Sequence, residues 1–144
     1  MFEIENHGAQ HLPAIDVPMQ LFGLKAAGSA DAIKTEIEGS ETAVNEVFNT
    51  KPTWYRGAGA QYTEASLALV RTLNFKPAGF SILGDGGALW SSVHAAKAIA
   101  EAKDGDVIIA HINQPAKPAG AGVVEGILKL RANGFTFVTL NEGF

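Results

Sequence analysis

Short apolar runs alternate along the chain with longer segments in which apolar residues recur every three or four positions. In the first half, apolar and charged residues alternate at 2–6 and predict a strand. Residues 30–48 predict a helix with Ser29 as its N-cap, 53–56 a short extended segment, and a second helix begins after Thr63. The apolar positions that define the two helix faces are Ile33, Ile37, Val44, Val47 and Phe48, and then Leu67, Val70 and Leu73.

The second half shows the same alternation more regularly. Strands are predicted at 78–83, 107–110 and 135–140, and helices at 89–102 and 123–132, the last of which ends before Gly134. The run 107–110 is entirely apolar and gives the strongest prediction of a buried strand. Strands that alternate with helices of this length are typical of an α/β protein with a largely parallel sheet. We therefore expect one α/β domain over residues 1–144.

Composition narrows the classes of function. The chain has 144 residues, 47% of them hydrophobic, which suffices for the core of one domain. A net charge of −4 without a Lys/Arg cluster argues against nucleic-acid binding, and the lack of cysteine excludes disulfides and thiolate metal sites. No apolar run is long enough to cross a membrane, and the acidic opening has no signal-peptide pattern, so we expect a cytoplasmic protein that does not bind membranes.

Four groups of polar or small residues follow predicted strands, and the carboxyl ends of parallel strands meet at one rim of a sheet. The first group contains His7 and His11, whose spacing of four allows both imidazoles to reach one metal ion. Two solvated loop histidines would show the same spacing. Because a catalytic zinc usually has three protein ligands, two histidines are an incomplete set.

The other groups supply candidates for proton transfer and anion binding. Arg56 precedes a small-residue loop, 57–60, whose backbone N–H groups are suited to an oxyanion hole, although a structural turn would use the same residues. His111 directly follows the strand at 107–110, where an imidazole is suited to proton transfer or to a structural hydrogen bond. Asp85 lies in a Gly-Asp-Gly-Gly turn and is a potential partner for a histidine. His94 lies within a predicted helix and is expected to be structural.

These segments carry a resemblance to a known family. EIENHGAQH resembles the His-Ser/Thr-x-x-His motif of the polysaccharide deacetylases (carbohydrate esterase family four), and WYRGAGAQY resembles their Arg-x-Pro-x-Gly motif. GDVIIAH resembles the Leu-x-His motif, and FSILGDGG occupies the place of the motif before it. The order of these motifs and the spacing between them agree with the family's pattern across essentially the whole chain. The resemblance implies a distorted (β/α) barrel of the deacetylase type, similar to a TIM barrel.

The resemblance also implies a role for each matching position. His7 and His11 would bind a divalent metal, most simply zinc, with weak or partial occupancy, and Arg56 would hold the catalytic base. His111 would be the general acid, tuned by Asp85. The remaining positions would contact the substrate: Gly57, Ala58 and Gly59 through backbone N–H groups, Ile109 as part of the acetyl pocket, and Tyr62. The implied reaction is hydrolysis of N-acetyl groups on a polysaccharide or related saccharide.

One family motif has no counterpart in these residues. Thr-Phe-Asp-Asp, which supplies the base and a third metal ligand, is absent, and the chain has no Asp-Asp pair. We therefore expect a barrel that is incomplete at its N-terminus, lacks its first βα unit and has impaired activity. The alternatives are a non-catalytic carbohydrate-binding or assembly domain and an open flavodoxin-like sheet that binds a phosphorylated ligand at the Gly-Asp-Gly-Gly turn. Unpaired edges at 2–6 and 135–140 predict a homodimer or larger homo-oligomer.

Overall fold

Helix α1 (Ala30–Phe48) has the predicted bounds in the computed structural model, which describes residues 2–144. Ser29 caps it as predicted, since its hydroxyl accepts a hydrogen bond from the Ala32 N–H at 3.2 Å. The predicted apolar face is confirmed at Ile33 and Ile37, which are fully buried. It is wrong in the last turn, where Val47 and Phe48 are exposed.

The described residues form two compact units, Phe2–Gly79 and Phe80–Phe144. The prediction of one domain over residues 1–144 stays a prediction. In the first unit the elements are β1 (Gln20–Leu21), β2 (Leu24–Lys25), α1, β3 (Trp54–Tyr55), a 3-10 turn (Ala58–Ala60), α2 (Glu64–Thr72) and β4 (Lys76–Pro77). In the second they are β5 (Ile82–Leu83), α3 (Ser92–Ala100), β6 (Ile108–Ile109), α4 (Ala119–Ala132) and α5 (Leu140–Gly143). None of the helices in residues 2–144 is long and apolar enough to span a membrane.

Parallel pairing organises the first unit around β3. Strands β3 and β4 pair in parallel, and on the other side of β3 Asn6 forms an isolated parallel bridge with Tyr55. The predicted strand at 2–6 is therefore wrong except at Asn6, because the preceding residues have no bridge to a neighbouring strand and Phe2 is 98% exposed. The core beneath this pairing contains Ala14, Ile33, Ile37, Tyr55, Val70 and Phe75.

A short hairpin that the apolar pattern did not predict lies between the first bridge and α1. Strands β1 and β2 are antiparallel, with Leu21 opposite Leu24, so Phe22 and Gly23 form the turn. The predicted helix after Thr63 is confirmed as α2. Its N-terminus has a capping box, in which Thr63 and Ser66 each accept a hydrogen bond from the other's backbone N–H.

The second unit is built on the parallel pair β5–β6, in which Leu83 lies opposite Ile109. The predicted strand at 107–110 is confirmed in its centre, although only Ile109 of this run is buried. The predicted strand at 78–83 is wrong as a single element. Ala78 donates to the Tyr55 carbonyl within the first unit, whereas Ile82 pairs with β6 in the second, and the residues between them belong to neither pair.

The last predicted strand, 135–140, is also wrong. Residues 135–139 form no strand, and Thr139 instead begins the short helix α5 through a capping box with Glu142. Apolar β-branched and aromatic residues favour a strand only where a neighbour can pair with them. Residues 135–140 therefore provide no strand edge for pairing between two copies of the chain. Self-association stays a prediction.

Helices α3 and α4 pack closely because α4 presents glycine at the contact. A Cβ on Gly126 would lie 2.7 Å from the Ile99 Cβ and 3.0 Å from the Ala96 carbonyl oxygen. Helix α4 begins at Ala119, four residues before the predicted start, and α3 begins at Ser92, three after it, capped by the Ser91 hydroxyl. Small residues thus set the distance between the two helices.

Replacement of Gly126 by alanine tests this packing. Alanine favours a helix over glycine by about 1 kcal/mol, but overpacking of a tight contact costs about 1–3 kcal/mol. We expect Gly126→Ala to lower the free energy of unfolding in urea. Gly120→Ala is the matched control, since nothing lies within 4 Å of a Cβ there, and it should stabilise the protein. Equal stabilisation by both substitutions would contradict the close contact.

Candidate functional site

The loop that carries His7 and His11 is held by two buried side chains. The Asn6 carboxamide is 2% exposed, donates to the Ile37 carbonyl at 2.8 Å and accepts from the Gly8 N–H at 3.0 Å. Glu36, on the inner face of α1 and also 2% exposed, accepts hydrogen bonds from the backbone of Gln10 and Leu12, each at 2.9 Å. Its second carboxylate oxygen lies 3.0 Å from the same Gln10 nitrogen. The loop is therefore fixed from the helix beneath it.

Sequence reasoning missed Glu36, although a signal was present. Ile33, Glu36, Ile37 and Ser40 follow helical spacing and share one face of α1, so an acidic residue stands within an apolar stripe. A carboxylate at such a position needs hydrogen-bond donors when it is buried. The loop that carries His7 and His11 supplies them, through the backbone of Gln10 and Leu12.

The two histidines lie beside each other. Their ring centroids are 4.9 Å apart, with the rings nearly perpendicular. The His7 Nδ1 lies 2.5 Å from the Arg56 carbonyl oxygen, and since a carbonyl only accepts, Nδ1 carries the proton. With the proton on Nδ1, the lone pair of the His7 ring is on Nε2, which is the arrangement that is usual for metal-binding histidines. His11 is exposed and has a positive φ of 59°.

These two imidazoles suit a divalent metal as a partial ligand set. Imidazole nitrogen is a good ligand for zinc and neighbouring transition metals. Within residues 2–144, no group of three or more histidine, aspartate or glutamate side chains is arranged to hold a metal ion. The described residues thus offer two protein ligands.

Arg56 is half-buried and follows β3. Its backbone N–H donates to the Asn6 carbonyl at 2.9 Å, which fixes it next to the histidine loop. Burial lowers the pKa of its guanidinium, and Tyr62 partly opposes that shift. Within residues 2–79, no carboxylate forms an ion pair with this guanidinium, so its charge is available to an anionic group.

The loop after Arg56 has three backbone N–H groups that the sequence proposed for oxyanion binding. Two of them are engaged within the unit: Gly57 donates to the Tyr62 hydroxyl at 3.2 Å, and Ala58 donates to the Leu12 carbonyl at 3.2 Å. The N–H of Gly59 has no partner within residues 2–79. Gly59 has a φ of +71°, which suits glycine, and is the remaining candidate for an oxyanion donor.

Tyr62 holds this loop rather than standing free at its surface. Its hydroxyl lies 2.9 Å from the Ala78 carbonyl and 3.1 Å from the Tyr55 carbonyl, and its single proton serves one of them at a time. Burial raises the pKa of Tyr62 to about 12. The hydroxyl of Tyr55 is buried without a hydrogen-bond partner among the described residues, and burial raises its pKa further.

Asp85 and His111 form the clearest pair of chemical groups in the second unit. They follow β5 and β6, the two parallel strands. The His111 Nδ1 lies 3.0 and 3.1 Å from the two carboxylate oxygens of Asp85, which is 1% exposed. Asp85 also accepts the backbone N–H groups of His111, at 2.6 Å, and Gly87, at 3.1 Å.

The electrostatics of the pair follow from these bonds. Burial by itself would raise the pKa of Asp85, but hydrogen bonds from the His111 ring, the His111 backbone and the Ala88 backbone outweigh it, so the pKa is lowered. Asp85 is therefore ionised at neutral pH and accepts the His111 Nδ1–H. The Nε2 of His111, whose side chain is 29% exposed, is then the atom available for proton transfer.

The remaining sequence candidates are placed as follows. The turn at Gly86 and Gly87 closes on the Asp85 carboxylate, and an anion in that position argues against a phosphate site there. Ile109 is buried in β6, and its role in an acetyl pocket stays a prediction. His94 is exposed on α3 and stacks on Trp90 with ring centroids 3.9 Å apart. That all these groups share one rim stays a prediction as well.

Comparison with known proteins bears on both units. A family model described as polysaccharide deacetylase matches residues 2–78. Among solved structures, a family 4 acetyl xylan esterase from Clostridium thermocellum in complex with a cobalt ion has a TM-score of 0.75, with 22% identity over 99% of this chain. A variant of the peptidoglycan deacetylase PdaC from Bacillus subtilis has a TM-score of 0.73, with 18% identity over 97% of this chain.

A family 4 carbohydrate esterase from Streptomyces lividans in complex with acetate has a TM-score of 0.70, with 17% identity over 96% of this chain. The chain spans 62%, 63% and 67% of the length of the Bacillus, Clostridium and Streptomyces chains. No protein of curated function matches the sequence significantly. The α/β fold that the motifs implied is confirmed by these structures.

Substitution of Glu36 tests how the histidine loop is held. Glu36→Ala leaves the backbone N–H groups of Gln10 and Leu12 without their acceptor, at a cost of about 2–4 kcal/mol in the free energy of unfolding. Glu38→Ala, two residues on and exposed, should change it by less than about 0.5 kcal/mol. Urea unfolding measures both. Amide exchange at Gln10 and Leu12 should accelerate in Glu36→Ala only, and unchanged exchange there would refute the role of Glu36.

The two tyrosines, which are the only ones in the chain, predict a pH dependence. The unfolded chain loses the Tyr62 proton near the ordinary tyrosine pKa of 10.0, whereas the folded chain keeps it to about 12. The protonated Tyr62 therefore makes its full contribution to the free energy of unfolding below pH 10. That contribution is lost as the pH rises from about 10 to about 12. Tyrosinate absorbance of the folded protein should lag behind that of the urea-unfolded protein. Coincident titrations would contradict the burial of both hydroxyls.

Proposed function

Since this chain belongs to the polysaccharide deacetylase family, we propose that it hydrolyses N-acetyl groups on a saccharide in a metal-dependent reaction. The observation that carries the proposal is the Asp85–His111 pair, a buried carboxylate that orients an imidazole at the ends of two parallel strands. An imidazole oriented in this way is suited to general acid catalysis of amide cleavage.

Each group of this chain has a defined task in the proposed reaction. When the carbon–nitrogen bond of the acetamide breaks, the leaving nitrogen needs a proton, and the Nε2 of His111 donates it. Asp85 keeps the proton on Nδ1 and stabilises the imidazolium that holds both protons before transfer. The N–H of Gly59 donates to the acetamide oxygen as negative charge develops there.

The metal would be held by His7 and His11. A divalent cation bound there would supply Lewis-acid polarisation of the acetamide carbonyl. The hydrogen bond from the His7 Nδ1 to the Arg56 carbonyl fixes the ring so that Nε2 faces outward from that bond. The Arg56 guanidinium would place an anionic group, such as a carboxylate base, beside the reacting centre.

A second candidate is saccharide binding without turnover. It is favoured by the ligand count, since the described residues bring only two imidazoles together. A site with two neutral ligands binds a divalent metal weakly, because charge neutralisation by a carboxylate supplies much of the usual affinity. In that case the chain would bind acetylated saccharides and release no acetate. Weak metal binding would also impair the proposed hydrolysis.

Metal binding and acetate release are measured separately. Calorimetric titration with zinc should show one weak site that His7→Ala and His11→Ala each remove, whereas His94→Ala, at an exposed histidine outside the site, should leave it unchanged. Acetate release from an N-acetylated chito-oligosaccharide should fall by about 10²–10⁴-fold in His111→Ala. Zinc binding that survives His7→Ala, or release that survives His111→Ala, would refute the respective assignment.

A further inference from the structure

The tip of the β1–β2 hairpin combines two features that are unfavourable by themselves. Phe22 has a φ of +52° and Gly23 of +79°, so both central residues of the turn are in the left-handed region. Two-residue hairpin turns of this kind favour asparagine or glycine, and a phenylalanine there is strained. The Phe22 side chain is also 77% exposed, so its burial does not offset the strain.

The position of this ring is specific. A Cβ on Gly59 would lie 3.3 Å from the Phe22 Cδ2 and Cε2 atoms and 3.3 Å from a methyl group of Leu21. One edge of the ring therefore rests on Gly59, and most of its surface faces solvent. Gly59 is also the residue whose backbone N–H has no partner within residues 2–79.

We propose that Phe22 is a specificity-determining residue that stacks on a pyranose ring of the substrate while the acetyl group lies at the Gly59 N–H. The C–H groups on the face of a pyranose are apolar, and the electron-rich face of a phenyl ring attracts them. A saccharide ring next to its own acetyl group thus covers the aromatic surface that the protein leaves exposed. This inference rests on the proposed function, because it takes a saccharide as the ligand.

The strain at this turn supports a functional rather than a structural role for the ring. Asparagine at position 22 would relieve the backbone and remove the exposed apolar surface, and both changes would stabilise the unit. Phenylalanine gives the fold neither benefit. In this conformation the Phe22 ring lies next to Gly59, where it can contact a bound ligand.

The test uses Phe22→Asn and Phe22→Trp in the full chain. Phe22→Asn keeps a residue that tolerates positive φ, so we expect it to fold with an equal or higher melting temperature. Its dissociation constant for an N-acetylated chito-oligosaccharide, measured by calorimetry, should rise by about 3- to 10-fold. Phe22→Trp should bind as the unaltered protein does. Where acetate release is measurable, KM should rise in Phe22→Asn with kcat unchanged.

Phe48→Ala is the control, because it removes another exposed phenylalanine, at the end of α1, that is not among the nearest neighbours of Gly59. Binding by Phe22→Asn that equals that of the unaltered protein would overturn the inference, as would an equal loss in Phe48→Ala or the absence of any saccharide binding. Phe22-dependent binding without acetate release would contradict only the hydrolytic function. Acetate release that is indifferent to Phe22 would contradict only the stacking role.

Discussion

Where the chain passes from a strand into a loop, its buried backbone N–H groups need hydrogen-bond acceptors. In this protein a few largely buried side chains provide them. The strands are two residues long, so strand pairing satisfies little of the backbone around the site. Glu36 accepts the N–H groups of the histidine loop, Tyr62 that of Gly57, and Asp85 those of the Gly-Asp-Gly-Gly turn and His111. Side-chain acceptors thus fix the loops, either from a distant element, as Glu36 does, or from a residue nearby, as Tyr62 and Asp85 do.

This arrangement explains which features of the candidate site a sequence displays and which it does not. The spacing of His7 and His11, and the place of His111 after an apolar strand, are local features that a sequence displays directly. The hydrogen bonds of Glu36 join residues that are 24 and 26 positions apart. No local pattern specifies such a contact, although an acidic residue in an apolar stripe signals that some partner must exist.

The fold shows the same division. Helices α1 and α2 could be predicted because their caps, Ser29 and Thr63, and their periodicity lie within the segment itself. The strands predicted at 2–6 and 135–140 are wrong, because a strand depends on a neighbour that the segment itself does not contain. At 135–140 a capping box between Thr139 and Glu142 decides the local structure instead. The hairpin at Gln20–Lys25 escaped prediction because its turn residue, Phe22, is not one that such turns favour.

Asp85 serves the chain twice, as a hydrogen-bond acceptor for two backbone amides and as the partner of an imidazole. The first task stabilises the loop, whatever the protein does. Natural selection for folding alone would therefore retain this aspartate in a descendant that had lost all chemistry. Survival of the Asp85–His111 pair among related sequences is then a poor marker of an active enzyme. His11, whose side chain forms no hydrogen bond with the backbone of residues 2–79, would be the first of these residues to change.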